Sequence, residues 1–286
     1  MTAADHVLAP GGVPDDDGAP DGALDARLAA ALARLAGAPT LLVALDFDGT
    51  LAPHIDEPER ARALPAAREA ALALAALADT RVAFVSGRAL DSLLVVAEPT
   101  PELLLAGSHG VELRLSPDDE DAVGLDERET AARDALAALL HEVAEATPGS
   151  WVEVKPAGFA LHTRRLDAET ARRAQETART RADAEIGDLT VRPGKDVLEF
   201  SVRDATKGDA LVRLREATGA DAVLYAGDDR TDEDGFAALG AGDMAIKVGT
   251  GESRAAYRVA DPAEMTLALQ RLLAERRRAS AARADA

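Results

Sequence analysis

The 286-residue chain has no cysteine, which excludes disulfides, a thiolate nucleophile and a cysteine-based zinc site. Its five histidines, His6, His54, His109, His141 and His162, are scattered without an HExxH or paired-ligand spacing, so zinc is not expected. No apolar run approaches the roughly 18 residues that a membrane span needs. The N-terminal segment has neither a basic region nor an apolar core of the kind that directs secretion. A soluble, cytoplasmic protein is therefore expected. Positive charge is also short. The formal net charge of −19 repels polyanions, so neither nucleic acid nor an anionic membrane is an expected partner.

Lysine is scarcer still: Lys155, Lys195, Lys207 and Lys247 are the only four among 32 basic residues. Where composition favours arginine, each remaining lysine is a candidate for a task that needs a compact point charge instead of a planar fork, although chance explains any single one as well.

Residues 1–23 are rich in Gly, Pro, Asp and Ala and read as a disordered acidic tail. Leu24 to Leu35 carries leucine at helical spacing. Strand patterns follow at 41–45, 81–85, 103–106, 222–226 and 244–248, with helical stretches near 65–78, 207–218, 231–239 and 262–278; the end, 279–286, reads as flexible. Strands alternating with helices predict an α/β fold with a doubly wound parallel sheet, formed by 24–110 and 204–278. Between them, 111–203 changes texture to an αββαββ pattern and reads as an inserted domain: helices near 126–146 and 167–185, strands at 151–155, 158–164, 189–192 and 196–202.

The apolar run Leu42 to Leu45 ends on Asp46-Phe47-Asp48-Gly49-Thr50, two acids delivered to a turn by a strand. Ligands of open α/β sheets bind at the carboxyl ends of strands, so these acids lie where chemistry is expected. A calcium loop beginning at Asp46 fails, because Leu51 stands where the loop needs glycine and a strand precedes it instead of a helix. A second acidic cluster, Gly227-Asp228-Asp229-Arg230-Thr231-Asp232-Glu233-Asp234, follows the apolar Val223 to Ala226. If the two strands are neighbours, Asp46, Asp48 and Asp228 can offer hard oxygen ligands to Mg²⁺. Helix-start acids complementing the macrodipole account for Glu233 and Asp234 but poorly for Asp228 and Asp229. Carboxylates beside a phosphate dianion need cations to offset them, and Lys207, opening a helix pattern, can join Mg²⁺ in that role. Ser86-Gly87-Arg88 ends another strand and can hold phosphate oxygens, although Ser-Gly is also an ordinary turn signal.

In order and context these segments resemble the four motifs of haloacid dehalogenase superfamily phosphatases. The resemblance implies that Asp46 is the nucleophile forming an aspartyl-phosphate, Asp48 the general acid/base, Asp228 a Mg²⁺ ligand and Asp229 its supporting acid. It also implies a metal set of Asp46, Asp48, Asp228 and Asp229, a phosphate site of Asp46, Gly49, Thr50, Ser86, Gly87, Arg88 and Lys207, and an HAD-like core whose insertion is a cap reading the leaving group. Within that superfamily, Gly107-Ser108-His109-Gly110-Val111-Glu112, Trp151-Val152-Glu153-Val154-Lys155, His162-Thr163-Arg164, Gly194-Lys195-Asp196-Val197-Leu198-Glu199, the run 227–236 and Ala255 to Arg258 resemble trehalose-6-phosphate phosphatases over about Leu41 to Leu273. Thr163 and Val202 depart from that family's commoner residues. The resemblance implies trehalose 6-phosphate as substrate, a monomer, and sugar contacts from His109, Glu153, Lys155, His162, Arg164, Lys195, Glu199 and Asp232.

The residue types suit a disaccharide, because Glu153 and Glu199 can accept hydroxyls while Lys155 and Lys195 donate and neutralise them. Strand alternation puts Glu153 with Lys155, and Lys195 with Glu199, on common faces; cross-strand ion pairing on a solvated face is the competing account. Trp151 and Phe159 can contact sugar, but in a chain with so few aromatics the core of the insertion is their expected place. Other sugar phosphates, such as sucrose phosphate or a glycosyl phosphoglycerate, remain open as substrates, as does a non-catalytic sugar-phosphate sensor.

Overall fold

The computed structural model describes residues 24–118 and 125–284, so the expected disordered tail 1–23 lies outside the described residues. In chain order the elements are α1 (Ala26–Leu35), β1 (Leu41–Leu45), α2 (Pro65–Ala75), β2 (Thr80–Val85), α3 (Leu90–Ala97), β3 (Leu103–Gly107), β4 (Glu112–Arg114), α4 (Glu127–Ala146), β5 (Trp151–Lys155), β6 (Gly158–His162), α5 (Ala168–Glu185), β7 (Thr190–Gly194), β8 (Val197–Ser201), α6 (Lys207–Thr218), β9 (Ala222–Gly227), α7 (Asp232–Ala237), β10 (Met244–Val248), β11 (Tyr257–Val259) and α8 (Pro262–Ala284).

The larger sheet runs β11-β10-β9-β1-β2-β3-β4, parallel except for β4. All five residues of β1 are buried, as a strand covered by helices on both faces requires. Leu41, Val43 and Leu45 join one apolar cluster with Leu28, Leu32, Leu74 and Leu269, whereas Leu42 and Ala44 join another with Leu211 and Leu214. Two successions of strands leave β1 in opposite directions, so the sheet's switch point lies beside it, where its carboxyl end opens a crevice. The helices start where their caps dictate. Asp25 accepts from Leu28 N to open α1, and Thr206 and Asp209 form a reciprocal capping box that opens α6 at Lys207.

The second sheet is antiparallel, ordered β5-β6-β8-β7, and has α4 and α5 packed on its apolar face through Leu136, Leu140, Phe159, Leu161, Leu198 and Phe200. Its αββαββ order is the expected one, but the boundary at 111 is too early. β4 pairs with β3 and extends the larger sheet, so the insertion starts after Arg114. At the other end α8 runs to Ala284, making the expected flexible stretch helical over 279–284. Arg276 anchors that helix: fully buried, it donates to the carbonyls of Ala36, Ala38, Pro39 and Asp79 and to Thr80 Oγ1.

Candidate active site

The loops after β1, β2 and β9 meet because those strands are neighbours in register. Asp46, the first residue past β1, is 4% exposed, and Lys207 at the first turn of α6 is 3% exposed. Lys207 Nζ donates to Asp46 Oδ1 and to Asp232 Oδ1, both at 2.7 Å. Burial alone would pull the lysine down, but Asp46 and Asp232 more than offset this and hold it above its ordinary range. Burial pushes the Asp46 carboxyl well up, opposed by Lys207 and reinforced by Asp232 and Asp228. Asp46 and Asp232 thus share one ammonium, a set short of positive charge.

Asp46 Oδ2 and Thr50 Oγ1 are buried without a partner among the described residues. Oxygens of Asp46, Asp228 and Asp232 lie within 4.8 Å of one another. Orphaned buried oxygens and three converging carboxylates with one ammonium among them fit a hard divalent cation with a phosphoryl group beside it. Gly49 keeps the approach open: at φ +84°, a Cβ there would lie 2.2 Å from Asp228 Oδ2.

The structure brings two members of the expected metal set together. Asp46 and Asp228 gather with Asp232. Asp48 turns instead to Arg88, whose Nε and Nη2 hold its two oxygens at 2.5 and 2.6 Å. Asp229 Oδ1 is occupied by Thr231 N and Oγ1, both at 2.8 Å, where it orders the start of α7. Its carboxyl is held low: burial opposes this, but Lys207 and the Thr231 bonds prevail. Asp232, expected to touch sugar, is fully buried beneath Asp46, with Lys207 on one side and Tyr225 OH donating to it on the other. An acid enclosed in this way cannot reach a sugar hydroxyl. Ser86 is buried and its Oγ accepts from Arg88 N at 3.1 Å, setting the turn beside Gly87.

Two contributors escape the sequence pattern. His54 Nε2 lies 2.8 Å from Asp228 Oδ2, and that bond raises the imidazole above its ordinary value against the effect of burial. Lys247, buried in β10, donates to the carbonyls of Asp228 and Asp229 and fixes the loop that carries them. The scarcity of lysine was the one available signal for it.

Across the crevice, β5, β6 and β8 present their polar face. Lys155 Nζ reaches Glu199 Oε1 at 3.2 Å and Glu153 Oε1 at 3.6 Å, and donates to Gly87 O at 3.2 Å. His162 Nε2 lies 2.7 Å from Glu153 Oε2, and His109 Nε2 lies 3.3 Å from Glu199 Oε2. Burial pushes Glu199 up, but His109 and Lys155 more than offset it and hold the carboxyl at about 2. Arg164 Nη1 bonds Asp56 O at 2.6 Å, a further link between the insertion and the loop after β1. Lys195 lies exposed in the turn between β7 and β8, outside the strand alternation, so its expected pairing with Glu199 falls to Lys155 instead. Phe159 is in the insertion's core as expected, but Trp151 is not. It lies half-buried on the polar face, stacked at 4.7 Å on His162 with the Arg165 guanidinium over its ring. A small open pocket lined by Gly87, Ser108, His109, Lys155 and Glu199 lies where the two units meet.

Residues 44–263 match the trehalose-phosphatase family model. The chain is 34% identical over 218 residues to trehalose-6-phosphate phosphatase of Escherichia coli, covering 75% of this chain and 80% of the relative. It is 36% identical over 222 residues to bifunctional trehalose-6-phosphate synthase/phosphatase of Thermoproteus tenax, covering 77% of this chain but spanning only 30% of that relative's length. In structure it is similar to trehalose-6-phosphate phosphatase of Aspergillus fumigatus, with a TM-score of 0.65 and 28% identity over 88% of this chain and 98% of the other.

Proposed function

This chain belongs to the trehalose-phosphatase family, within the haloacid dehalogenase fold, and from that premise we propose that it hydrolyses trehalose 6-phosphate to trehalose and phosphate with Mg²⁺ as its cation. The observation that carries this reading is the Lys207 ammonium shared by Asp46 and Asp232 beside an unpartnered Asp46 Oδ2. Asp46 would attack phosphorus, forming an aspartyl-phosphate as the bond to the sugar oxygen breaks. Asp48 would give that leaving oxygen its proton, then take one from the water that attacks the phosphorus and returns Asp46 as carboxylate, with phosphate released. For this, Arg88 must release Asp48 or carry it toward the substrate.

Asp46, Asp228 and Asp232 would hold the cation, which supplies charge that draws the phosphoryl oxygens in and stabilises the transferring group. Lys207 keeps Asp46 positioned and offsets negative charge, and Thr50 and Ser86 offer hydroxyls to the phosphate. On the opposite wall, Glu153, Lys155, Glu199, His109 and His162 suit sugar hydroxyls, and the insertion would act as a cap. A cytoplasmic monomer goes with this reading; among the described residues no helix is long and apolar enough to cross a membrane.

The test is phosphate release from a panel of sugar phosphates with and without Mg²⁺. Marked preference for trehalose 6-phosphate, lost on chelation, is expected. Comparable rates on sucrose phosphate or a glycosyl phosphoglycerate would overturn the substrate, and chelator-resistant turnover would overturn the cation.

A further inference from the structure

The turn between β3 and β4 is bent in an unusual way. Ser108, His109 and Gly110 have φ of +47°, +57° and +103°, so two consecutive residues with side chains occupy the left-handed region. Such residues persist only where their surroundings hold them. The surroundings are specific. Ser108 N donates to Arg88 O at 2.6 Å and His109 N to Ser86 O at 3.0 Å, tying the turn to the loop that holds the expected phosphate ligands. Glu112, buried at the start of β4, completes the lock: its Oε2 accepts Ser108 Oγ at 2.6 Å and Leu90 N at 3.0 Å. One carboxylate oxygen thus joins the strained turn to the first residue of α3, two positions beyond Arg88.

The side chain aimed by this turn is His109. Its ring packs so closely on Gly87 that a Cβ there would lie 2.7 Å from His109 Cε1, and its Nε2 reaches Glu199 on the opposite wall. A small rotation of the turn would therefore displace the imidazole from the leaving-group side of the crevice. Asp46 and Asp228 follow β1 and β9, strands to which neither Ser108 nor Leu90 belongs.

We propose that Glu112 is a positioning residue for the leaving group: by locking the left-handed Ser108-His109 turn against α3, it sets where His109 meets the sugar and so contributes to selectivity for the disaccharide ester. The inference rests on the phosphatase reading above and assigns a task to a buried carboxylate that touches neither phosphate nor sugar.

The experiment compares intact wild-type protein, Glu112→Ala, Glu112→Gln and Ser108→Ala on trehalose 6-phosphate and on p-nitrophenyl phosphate, a small ester with no sugar to read. Losing its bonds to Ser108 and Leu90, Glu112→Ala is expected to lower kcat/KM for trehalose 6-phosphate about 10- to 100-fold, mostly through KM, and to lower that for the aryl ester by a clearly smaller factor. Glu112→Gln, whose amide oxygen accepts the same two bonds, is expected to recover trehalose 6-phosphate turnover to within about fivefold of wild type. Ser108→Ala, a milder change that guards against misfolding of the alanine variant, should lose about threefold to tenfold on the sugar ester alone. Parallel losses on both esters, unchanged trehalose 6-phosphate kinetics, or a glutamine variant as impaired as alanine would overturn the proposal. Should wild-type protein prefer another sugar phosphate, the functional reading fails instead, and the same ratio measured with that ester still tests Glu112.

Discussion

The two sheets solve different problems with the same residue types. In the parallel sheet the central strand β1 is wholly apolar and charge begins one residue beyond its carboxyl end, so Asp46, with Lys207 against it, sits in surroundings that exclude water. In the antiparallel sheet the charged residues lie within the strands, on alternate positions of a half-buried face. The acids respond accordingly. Burial drives Asp46 up, whereas Glu199 is held at about 2 because His109 and Lys155 outweigh its desolvation. A rigid, charge-starved site suits a reaction on phosphorus, where transition-state charge must be met by fixed groups. A face of paired, partly wet side chains suits sugar hydroxyls, since each pair can exchange one hydrogen bond for another at little cost.

The largest effect that would break this contrast is at the nucleophile. Asp46→Asn is expected to lower kcat at least about 1000-fold while the fold persists, because the amide cannot attack phosphorus yet fills the same space. Glu153→Gln on the opposite face should cost only about tenfold, mainly in KM. Phosphate-release kinetics beside thermal melting would check both, and a reversed order would mean that the roles of the two faces are exchanged.

A second contrast concerns stability. Arg276 is buried in the larger unit with its guanidinium spread over four carbonyls and a hydroxyl, so Arg276→Ala should leave those acceptors unpaired and cost about 3–5 kcal/mol. Arg172 on α5 of the insertion pairs with two carboxylates, Glu169 and Glu176, but in solvent. Arg172→Ala should cost under about 1 kcal/mol. Urea midpoints decide, and comparable losses would show that burial does not separate the two regions as described.

The parallel sheet is the more legible half in the sequence, for physical reasons. β1, β2, β3, β9 and β10 are each mostly apolar and end in a turn signal, because strands covered on both faces favour apolar side chains. β4 and β11, three residues each, are too short for a period to register, and α3 is apolar on too many sides to be told from a strand. In the insertion, alternation places Glu153 beside Lys155 correctly, but it cannot tell that Lys195 falls in a turn. Acid runs are similarly mute about depth. Among Asp228, Asp229 and Asp232 only the coordinates separate the member that faces Asp46, the member that orders a helix start and the member enclosed under Lys207. His54 and Asp228, 174 residues apart, carry no shared local pattern at all.

The smallest expected effect is a pH dependence that sharpens the contrast between acids. Glu199 has a folded value of about 2 against an ordinary 4.5, so its ionised form stabilises the closed contact between the two units. That contribution is complete above about pH 4.5 and is lost as pH falls toward 2, since the unfolded chain takes up the proton first. The side chain is one quarter exposed and screened accordingly, which limits the effect to about 1–2 kcal/mol. Asp46 runs the other way: its raised folded value means that the native state takes up the proton first, so the site gains stability on acidification. Urea unfolding of wild-type protein and Glu199→Gln between pH 7 and pH 2.5 should therefore show a stability gap that is constant at the upper end and closes at the lower. A gap that widened on acidification would place Glu199 with the desolvated acids of the parallel sheet, and the division between a dry reacting face and a paired recognition face would have to be drawn elsewhere.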